Sequence, residues 1–158
     1  MIPIDVTIDG RACSLDVEPG ATLLEALRAA GHTSVKDGCS SGDCGACAVL
    51  LNGLVVNSCF TFAAQVDGRS VETVASLARD GELHPLQRAF LDAGAVQCGY
   101  CTPGMLLAAT DLIARNDRPS EAEVRGALAG TLCRCTGFVK PVEAILRAAD
   151  EISRGDHG

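Results

Sequence analysis

Residues 38–47 read Gly-Cys-Ser-Ser-Gly-Asp-Cys-Gly-Ala-Cys, and this short stretch holds three of the chain's nine cysteines. A further cysteine follows after eleven more residues and completes the group that we call set 1: Cys39, Cys44, Cys47 and Cys59. Thiolates that converge on one compact, charged group need a backbone that wraps it closely. Gly38, Gly42 and Gly45 permit the unusual dihedral angles and the close approach that such wrapping demands. The stretch therefore predicts a metal-binding loop.

The spacing of set 1, C-x4-C-x2-C followed by a distant fourth cysteine, is that of plant-type [2Fe–2S] ferredoxins. Backbone N–H groups in such a loop can bond to the cluster sulfurs and help to set the reduction potential. The alternative is a structural zinc site, which typically shows paired, shorter spacings such as two C-x2-C units. Set 1 therefore favours a [2Fe–2S] cluster over zinc.

A second group of cysteines, which we call set 2, consists of Cys98, Cys101, Cys133 and Cys135. Its spacing, C-x2-C and C-x-C separated by 31 residues, is less specific, because four thiolates can hold either zinc or an iron–sulfur cluster. Both pairs precede predicted helix starts, where the helix dipole lowers thiol pKa and favours an anionic group. A Rieske centre needs two histidine ligands, and His32, His84 and His157 lie outside both sets.

Two hairpins are predicted around set 1, because alternating apolar residues flank typical two-residue turns. The first joins residues 2–8 to residues 13–17 through Asp9-Gly10, and the second joins residues 48–51 to residues 54–57 through Asn52-Gly53. Cys13 shares an alternating face with Leu15 and Val17. We therefore expect Cys13, which belongs to neither set, to be a buried and inert thiol.

Helix signals are sparse in the first half and dense in the second. Thr22 and Glu25 form a capping box for one short helix that Gly31 can end, and Ser120 and Glu123 form another capping box. The other predicted helices run from Pro85 to about 92, from Thr102 to about 115, and onward from Pro141. Residues 74–83 are a plausible connector. We therefore expect one domain over residues 1–77 and a helical domain over residues 78–158.

The composition excludes several classes of protein. A length of 158 residues with 47% hydrophobic residues suits a globular protein. A net charge of −7 argues against nucleic-acid binding, which depends on cationic side chains. The N-terminal residues do not resemble a signal peptide, and no stretch approaches the roughly 18 apolar residues of a membrane span. An odd number of cysteines without an export signal fits a reducing compartment, and therefore a cytoplasmic location, although export within a folded complex, led by a partner's signal, stays open.

The whole pattern resembles the small iron–sulfur subunit of the molybdenum hydroxylases, the xanthine oxidase family. The resemblance runs from about residue 2 to about residue 150 and contains both cysteine sets in order. The segments that carry it are Val35–Cys39, Gly42–Cys47, Gln97–Gly104 and Leu132–Gly137.

This resemblance implies an α+β fold, with an N-terminal ferredoxin-like β-grasp domain followed by a C-terminal four-helix domain, each holding one [2Fe–2S] cluster. It also implies two partners, a large molybdopterin-binding subunit and an FAD-binding medium subunit or another acceptor. Electrons would pass from molybdenum through the two clusters, with the set 2 cluster nearer molybdenum. By position, Gln97 would contact the pterin, and Cys135 would link its cluster to the pterin edge.

Two positions depart from the pattern expected for the family, since Thr131 replaces an Asn and Phe138 replaces a Tyr. Arg134 lies between two cysteine ligands, and Lys36 lies near Cys39. Each of these residues either tunes the reduction potential of a cluster through its charge or is an ordinary surface residue.

The sequence shows no catalytic constellation, which places the substrate site on another chain and leaves the substrate open. The alternative functions are a freestanding two-cluster ferredoxin-type carrier and a zinc-stapled interaction module.

Overall fold

A computed structural model describes residues 1–155, and the first half of the chain is a mixed five-stranded sheet with one helix. The strands are β1 (Ile2–Ile8), β2 (Arg11–Val17), β3 (Ala48–Leu51), β4 (Leu54–Asn57) and β5 (Ser70–Glu72), and the helix is α1 (Leu23–Ala29). The strand order is β2-β1-β5-β3-β4, with β1 and β5 parallel and the other neighbours antiparallel. Three short 3-10 turns follow β4 and β5, at Ser58–Phe60, Ala63–Val66 and Val74–Ser76.

Within residues 78–155 the chain forms four α-helices joined by loops. They are α2 (Pro85–Asp92), α3 (Thr102–Arg115), α4 (Glu121–Leu128) and α5 (Val139–Ser153). Among residues 1–155, no helix combines the length and the apolar character that crossing a bilayer would require. The predicted boundary between residues 77 and 78 stays a prediction.

The local signals in the sequence explain most of these elements. Both hairpin turns have a positive φ at each central residue, 49° and 80° at Asp9-Gly10 and 49° and 84° at Asn52-Gly53, as a type I′ turn requires. The capping boxes predicted for α1 and α4 are confirmed, with the N-cap side chain and the N3 glutamate bonded reciprocally. The predicted hairpins and capped helices are therefore confirmed.

Three expectations were wrong or incomplete. Strand β5 was not predicted, because three residues are too few to show an alternating pattern. Helix α5 begins at Val139 rather than Pro141, since the first helical turn tolerates a proline at any position that needs no N–H donor. Cys13 is half-buried rather than buried, because β2 is an edge strand of the sheet.

Two hydrophobic cores lie on opposite faces of β3. Val49 belongs to the core between the sheet and α1, whereas its neighbour Leu50 belongs to the core formed by the helices α2–α5. This follows from the strand geometry, in which successive side chains point to opposite faces. Both faces of β3 are therefore covered, and the strand joins the two halves of the molecule.

Glycines let the two halves approach backbone to backbone beside the cysteine loop. A Cβ added at Gly104, in the first turn of α3, would lie 2.3 Å from the carbonyl oxygen of Gly45. A Cβ added at Gly45, where φ is +70°, would lie 2.2 Å from the carbonyl oxygen of Gly130. No side chain fits at either position, because in each case the atom it would meet belongs to the main chain.

We expect Gly104→Ala to destabilise the protein by about 1–3 kcal/mol, because the new methyl group would force the halves apart. The matched control is Gly126→Ala in α4, where an added Cβ meets nothing within 4 Å. The better helix propensity of alanine should make that variant more stable by about 0.5–1 kcal/mol. Melting temperatures of the iron-loaded chains measure both effects. Equal shifts in the two variants would show that the glycine contact does not hold the halves together.

Candidate metal centres

The set 1 cysteines come from one loop and from the hairpin that follows it. Cys39, Cys44 and Cys47 lie in the loop between α1 and β3, and Cys59 lies in the 3-10 turn after β4. The β3–β4 hairpin brings Cys59 back beside Cys47, and the backbone N–H of Cys59 donates to the Cys47 sulfur at 3.5 Å. The Ser58 hydroxyl donates a hydrogen bond of 2.7 Å to the Cys47 carbonyl, which also holds these two segments together.

Backbone donors surround the Cys39 sulfur. The N–H groups of Ser41 and Cys44 donate to it at 3.5 and 3.4 Å, and Gly42 between them has a φ of +84°. The Asn57 side chain holds this loop by donating to the Gly42 carbonyl at 2.9 Å. The loop thus presents N–H groups toward sulfur, as its glycines predict.

The set 1 thiols have very different affinities for protons. The pKa of Cys39 is lowered to about 6 because the Ser41 side chain and the backbone N–H groups of Ser41 and Cys44 hydrogen-bond its sulfur. Burial raises the pKa of Cys44. Burial, together with a hydrogen bond to Cys47, raises the pKa of Cys59 to about 11. A cation is therefore needed to hold all of these sulfurs as thiolates at neutral pH.

The set 2 cysteines come from two loops between helices. Cys98 and Cys101 precede α3, with Cys101 as its N-cap residue, and Cys133 and Cys135 lie in the loop between α4 and α5. Cys101 is buried, Cys133 is half-buried, and the other two are exposed. The second pair lies in the loop before α5 rather than at the helix start, because the chain turns at Phe138 before α5 begins.

Burial and hydrogen bonding also separate the set 2 thiols. Burial raises the pKa of Cys101 to about 12, assisted by a hydrogen bond to Cys133. Burial therefore has a larger effect on the Cys101 pKa than the dipole of α3, which we expect to lower the pKa of a thiol at the helix N-terminus. Burial by itself would raise the pKa of Cys133. Hydrogen bonds from Thr136 and from the Cys135 N–H together have the larger effect and lower the pKa to about 7. The Thr136 hydroxyl lies 3.1 Å from the Cys133 sulfur.

The donor sets fit [2Fe–2S] clusters in number and kind. Each half of the chain supplies four sulfur donors, and within set 1 side-chain hydrogen bonds pair the thiol of Cys39 with that of Cys44 and the thiol of Cys47 with that of Cys59. Such paired thiols suit a cluster of two iron atoms bound by four cysteines. Among residues 1–155, no group of three or more His, Cys, Asp or Glu side chains is arranged to hold a single metal ion.

The two sets lie against each other. The Leu132 N–H donates a hydrogen bond of 2.9 Å to the Cys44 carbonyl, which joins a residue of set 1 to the neighbour of Cys133. A cavity of about 230 Å³ lies between the sets. Its walls include Cys44, all of set 2, Tyr100 and Arg134.

The structure also locates the other residues singled out in the sequence. Gln97 and Cys135 lie together, since the Gln97 side chain donates to the Cys135 carbonyl at 3.2 Å. Arg134 is exposed at the cavity between the sets. The Lys36 ammonium donates to the Thr33 carbonyl at 3.1 Å, which favours a local role in its own loop.

The two departures from the family pattern are neighbours in space. Thr131 is buried and Phe138 is half-buried, and both line a cavity of about 400 Å³ on the outer side of the set 2 loop. Leu132, which is 62% exposed, lines the same cavity.

Sequence reasoning missed several residues that support set 1, among them Asn57 and Tyr100. Asn57 holds the loop through the Gly42 carbonyl, and Tyr100 donates from its hydroxyl to the Asp37 carbonyl. The register of the β3–β4 hairpin places Asn57 opposite Ala48, directly after the loop, and this signal could have located it. For Tyr100 the only sequence signal is its position between two set 2 cysteines.

Comparisons with known proteins agree with this arrangement. The model of the 2Fe-2S iron-sulfur cluster binding domain matches residues 6–78, and the model of the [2Fe-2S] binding domain matches residues 73–146. The nicotinate dehydrogenase small FeS subunit of Eubacterium barkeri is 48% identical over 95% of this chain and 96% of the relative. The xanthine dehydrogenase iron-sulfur-binding subunit of Escherichia coli O157:H7 is 44% identical over 92% of both chains.

Solved structures show the same fold over 98% of this chain. Quinoline 2-oxidoreductase from Pseudomonas putida 86 superposes with a TM-score of 0.93 at 42% identity, covering 98% of this chain and 97% of that chain. The aldehyde oxidoreductase from Desulfovibrio gigas superposes with a TM-score of 0.93 at 39% identity, covering 98% of this chain but 18% of that chain. With two [2Fe–2S] binding domains and these relatives, the chain belongs to the small iron–sulfur subunits of the molybdenum hydroxylases of the xanthine dehydrogenase family.

Proposed function

We propose that this chain is the electron-transfer subunit of a molybdopterin-dependent hydroxylase or dehydrogenase, with one [2Fe–2S] cluster bound by each cysteine set. The observation that carries the proposal is that two complete sets of four cysteines lie on adjoining loops, which a hydrogen bond from the Leu132 N–H to the Cys44 carbonyl joins. When bound, each [2Fe–2S] cluster accepts and returns one electron. Two such centres on adjoining loops suit transfer between two partners.

The chain's own residues bind and shelter these groups. The four thiolates of each set are the proposed ligands, namely Cys39, Cys44, Cys47 and Cys59 for set 1, and Cys98, Cys101, Cys133 and Cys135 for set 2. The N–H groups that donate to Cys39 offset negative charge at its sulfur, and Thr136 does the same at Cys133. Arg134 carries a positive charge beside set 2, and this charge favours the reduced state there.

The molybdopterin-binding partner is proposed to cover set 2. Gln97 and Cys135 are both exposed and are joined by a hydrogen bond, so one partner surface can contact both of them. This agrees with their proposed roles, in which Gln97 contacts the pterin and Cys135 connects the cluster to it. Electrons would then arrive at set 2 and leave from set 1.

The acceptor is proposed to dock at set 1, either as an FAD-binding subunit or as another electron carrier. Phe60 directly follows the ligand Cys59, is 80% exposed and lies against Gly42. An exposed aromatic side chain beside a redox centre suits a partner surface. The substrate site lies on the molybdenum subunit, and the complex belongs in the cytoplasm, where reducing conditions preserve the thiols.

We expect the purified chain to contain about four iron and about four sulfide ions, two of each per cluster. Cys44→Ser should lose about half of both, because a hydroxyl is a poorer ligand for iron–sulfur clusters than a thiolate. The matched control is Cys13→Ser, which lies outside both sets and should keep the full content. Because the chain has no Trp and one Tyr, the visible absorbance should be large relative to that at 280 nm. A colourless protein with stoichiometric zinc would refute the proposal.

The order of electron flow is tested in the assembled complex with substrate as the only reductant. Cys44→Ser should remove the set 1 signal in electron paramagnetic resonance, while set 2 is still reduced. Cys135→Ser should remove the set 2 signal and leave set 1 largely oxidised. Normal reduction of set 1 in a complex that lacks the set 2 cluster would reverse the proposed order.

The chain alone should turn over no substrate, because the sequence offers no acid, base or nucleophile constellation. The test is the purified, iron-loaded chain with purines, N-heterocycles or aldehydes and an artificial acceptor. The assembled complex under the same conditions is the positive control. Robust turnover by the chain without a molybdenum subunit would place a catalytic site here.

A further inference from the structure

Tyr100 belongs to the set 2 motif in sequence but contacts the set 1 loop in space. It lies between Cys98 and Cys101, and its hydroxyl donates a hydrogen bond to the Asp37 carbonyl, 63 residues away in the chain. The ring atom Cε1 lies 3.6 Å from the position that a Cβ would take at Gly38. The side chain therefore crosses the boundary between the two cysteine sets.

The segment that Tyr100 contacts leads directly into the ligand Cys39. The Asp37 carboxylate accepts a hydrogen bond of 2.7 Å from the Ser40 hydroxyl, so Asp37 is held by its side chain as well as by its carbonyl. The same Cβ position at Gly38 would lie 2.7 Å from the Cys44 sulfur. The side of Gly38 that would carry a Cβ therefore faces both the Tyr100 ring and a proposed ligand of set 1.

An ordinary surface role for Tyr100 accounts for this geometry less well. The ring is 46% exposed, as a surface tyrosine can be, but its hydroxyl has a specific main-chain partner in the other cysteine loop. The same ring lines the cavity of about 230 Å³ between the sets, beside Cys44 and Cys133. Tyr100 closes one side of this cavity while holding the segment that precedes Cys39.

We propose that Tyr100 is a positioning residue for the set 1 centre, acting through Asp37 and Gly38, although its motif belongs to set 2. This inference rests on the proposed function, because it concerns the cluster assigned to set 1. Without the hydroxyl, the Asp37–Gly38 segment loses its anchor and water gains access to the set 1 edge. Water stabilises the additional negative charge of the reduced state, so the set 1 potential should rise.

The test is Tyr100→Phe in the iron-loaded full chain, because this change keeps the ring and removes only the hydrogen bond. Iron content should stay at the wild-type level. Loss of the set 1 cluster to a chelator should become roughly threefold to tenfold faster, as expected for one lost hydrogen bond. The set 1 midpoint potential should rise, while that of set 2 stays unchanged. The signals are assigned from Cys44→Ser and Cys135→Ser, which each lack one centre.

Thr136→Val is the reciprocal control, since the Thr136 hydroxyl lies 3.1 Å from the Cys133 sulfur. It should alter the set 2 potential and leave set 1 unchanged. Should Tyr100→Phe shift set 2 instead of set 1, or shift neither, the inference is wrong. A wild-type chain without two distinct iron–sulfur signals would refute the proposed function itself, so the two failures are distinguishable.

Discussion

The two cysteine loops meet through main-chain atoms, and the placement of both sets depends on that contact. The Gly45 carbonyl lies against Gly104 and the Gly130 carbonyl lies against Gly45, each at a distance that leaves no room for a Cβ. The residue before Gly45 is the ligand candidate Cys44, whose carbonyl accepts the Leu132 N–H. Main-chain dimensions do not change with side-chain conformation. The spacing between the two proposed centres is therefore set by the backbone itself.

Each set lowers the pKa of one thiol with a neighbouring side-chain hydrogen bond and with backbone N–H groups. At Cys39 the Ser41 side chain and the backbone N–H groups of Ser41 and Cys44 lower the pKa without any cationic side chain. Set 2 relies on the Thr136 hydroxyl and the Cys135 N–H at Cys133. In both sets a buried thiol of high pKa accompanies one of low pKa, namely Cys59 in set 1 and Cys101 in set 2. Metal binding must supply the energy to deprotonate these buried members, so cluster assembly and folding are coupled.

The sequence predicted the elements whose signals are local and missed those that arise from distant partners. Turn glycines, capping boxes and helix-opening prolines act within a few residues, and the hairpins and helices that they indicate are present. Strand β5 exists because it fits between β1 and β3, which no pattern within three residues can show. The contacts of Asn57 and Tyr100 likewise depend on chain segments that only the tertiary fold brings together. The cysteine spacing indicated which thiols group together, whereas the hydrogen bond that joins the two cysteine loops is seen only in the structure.

The positions of the exposed and buried cysteines in each set fit the proposed path of electrons. In set 1, Cys47 and Cys59 are buried, but the neighbouring Phe60 is open to solvent, so this set reaches the surface beside an apolar side chain. In set 2, the exposed members are Cys98 and Cys135, on the side where Gln97 lies. Cys44 of set 1 lines the same cavity as all four cysteines of set 2. Each set thus has one side toward the other set and one side toward the surface. This arrangement suits a relay between two partners better than a carrier that docks through a single centre.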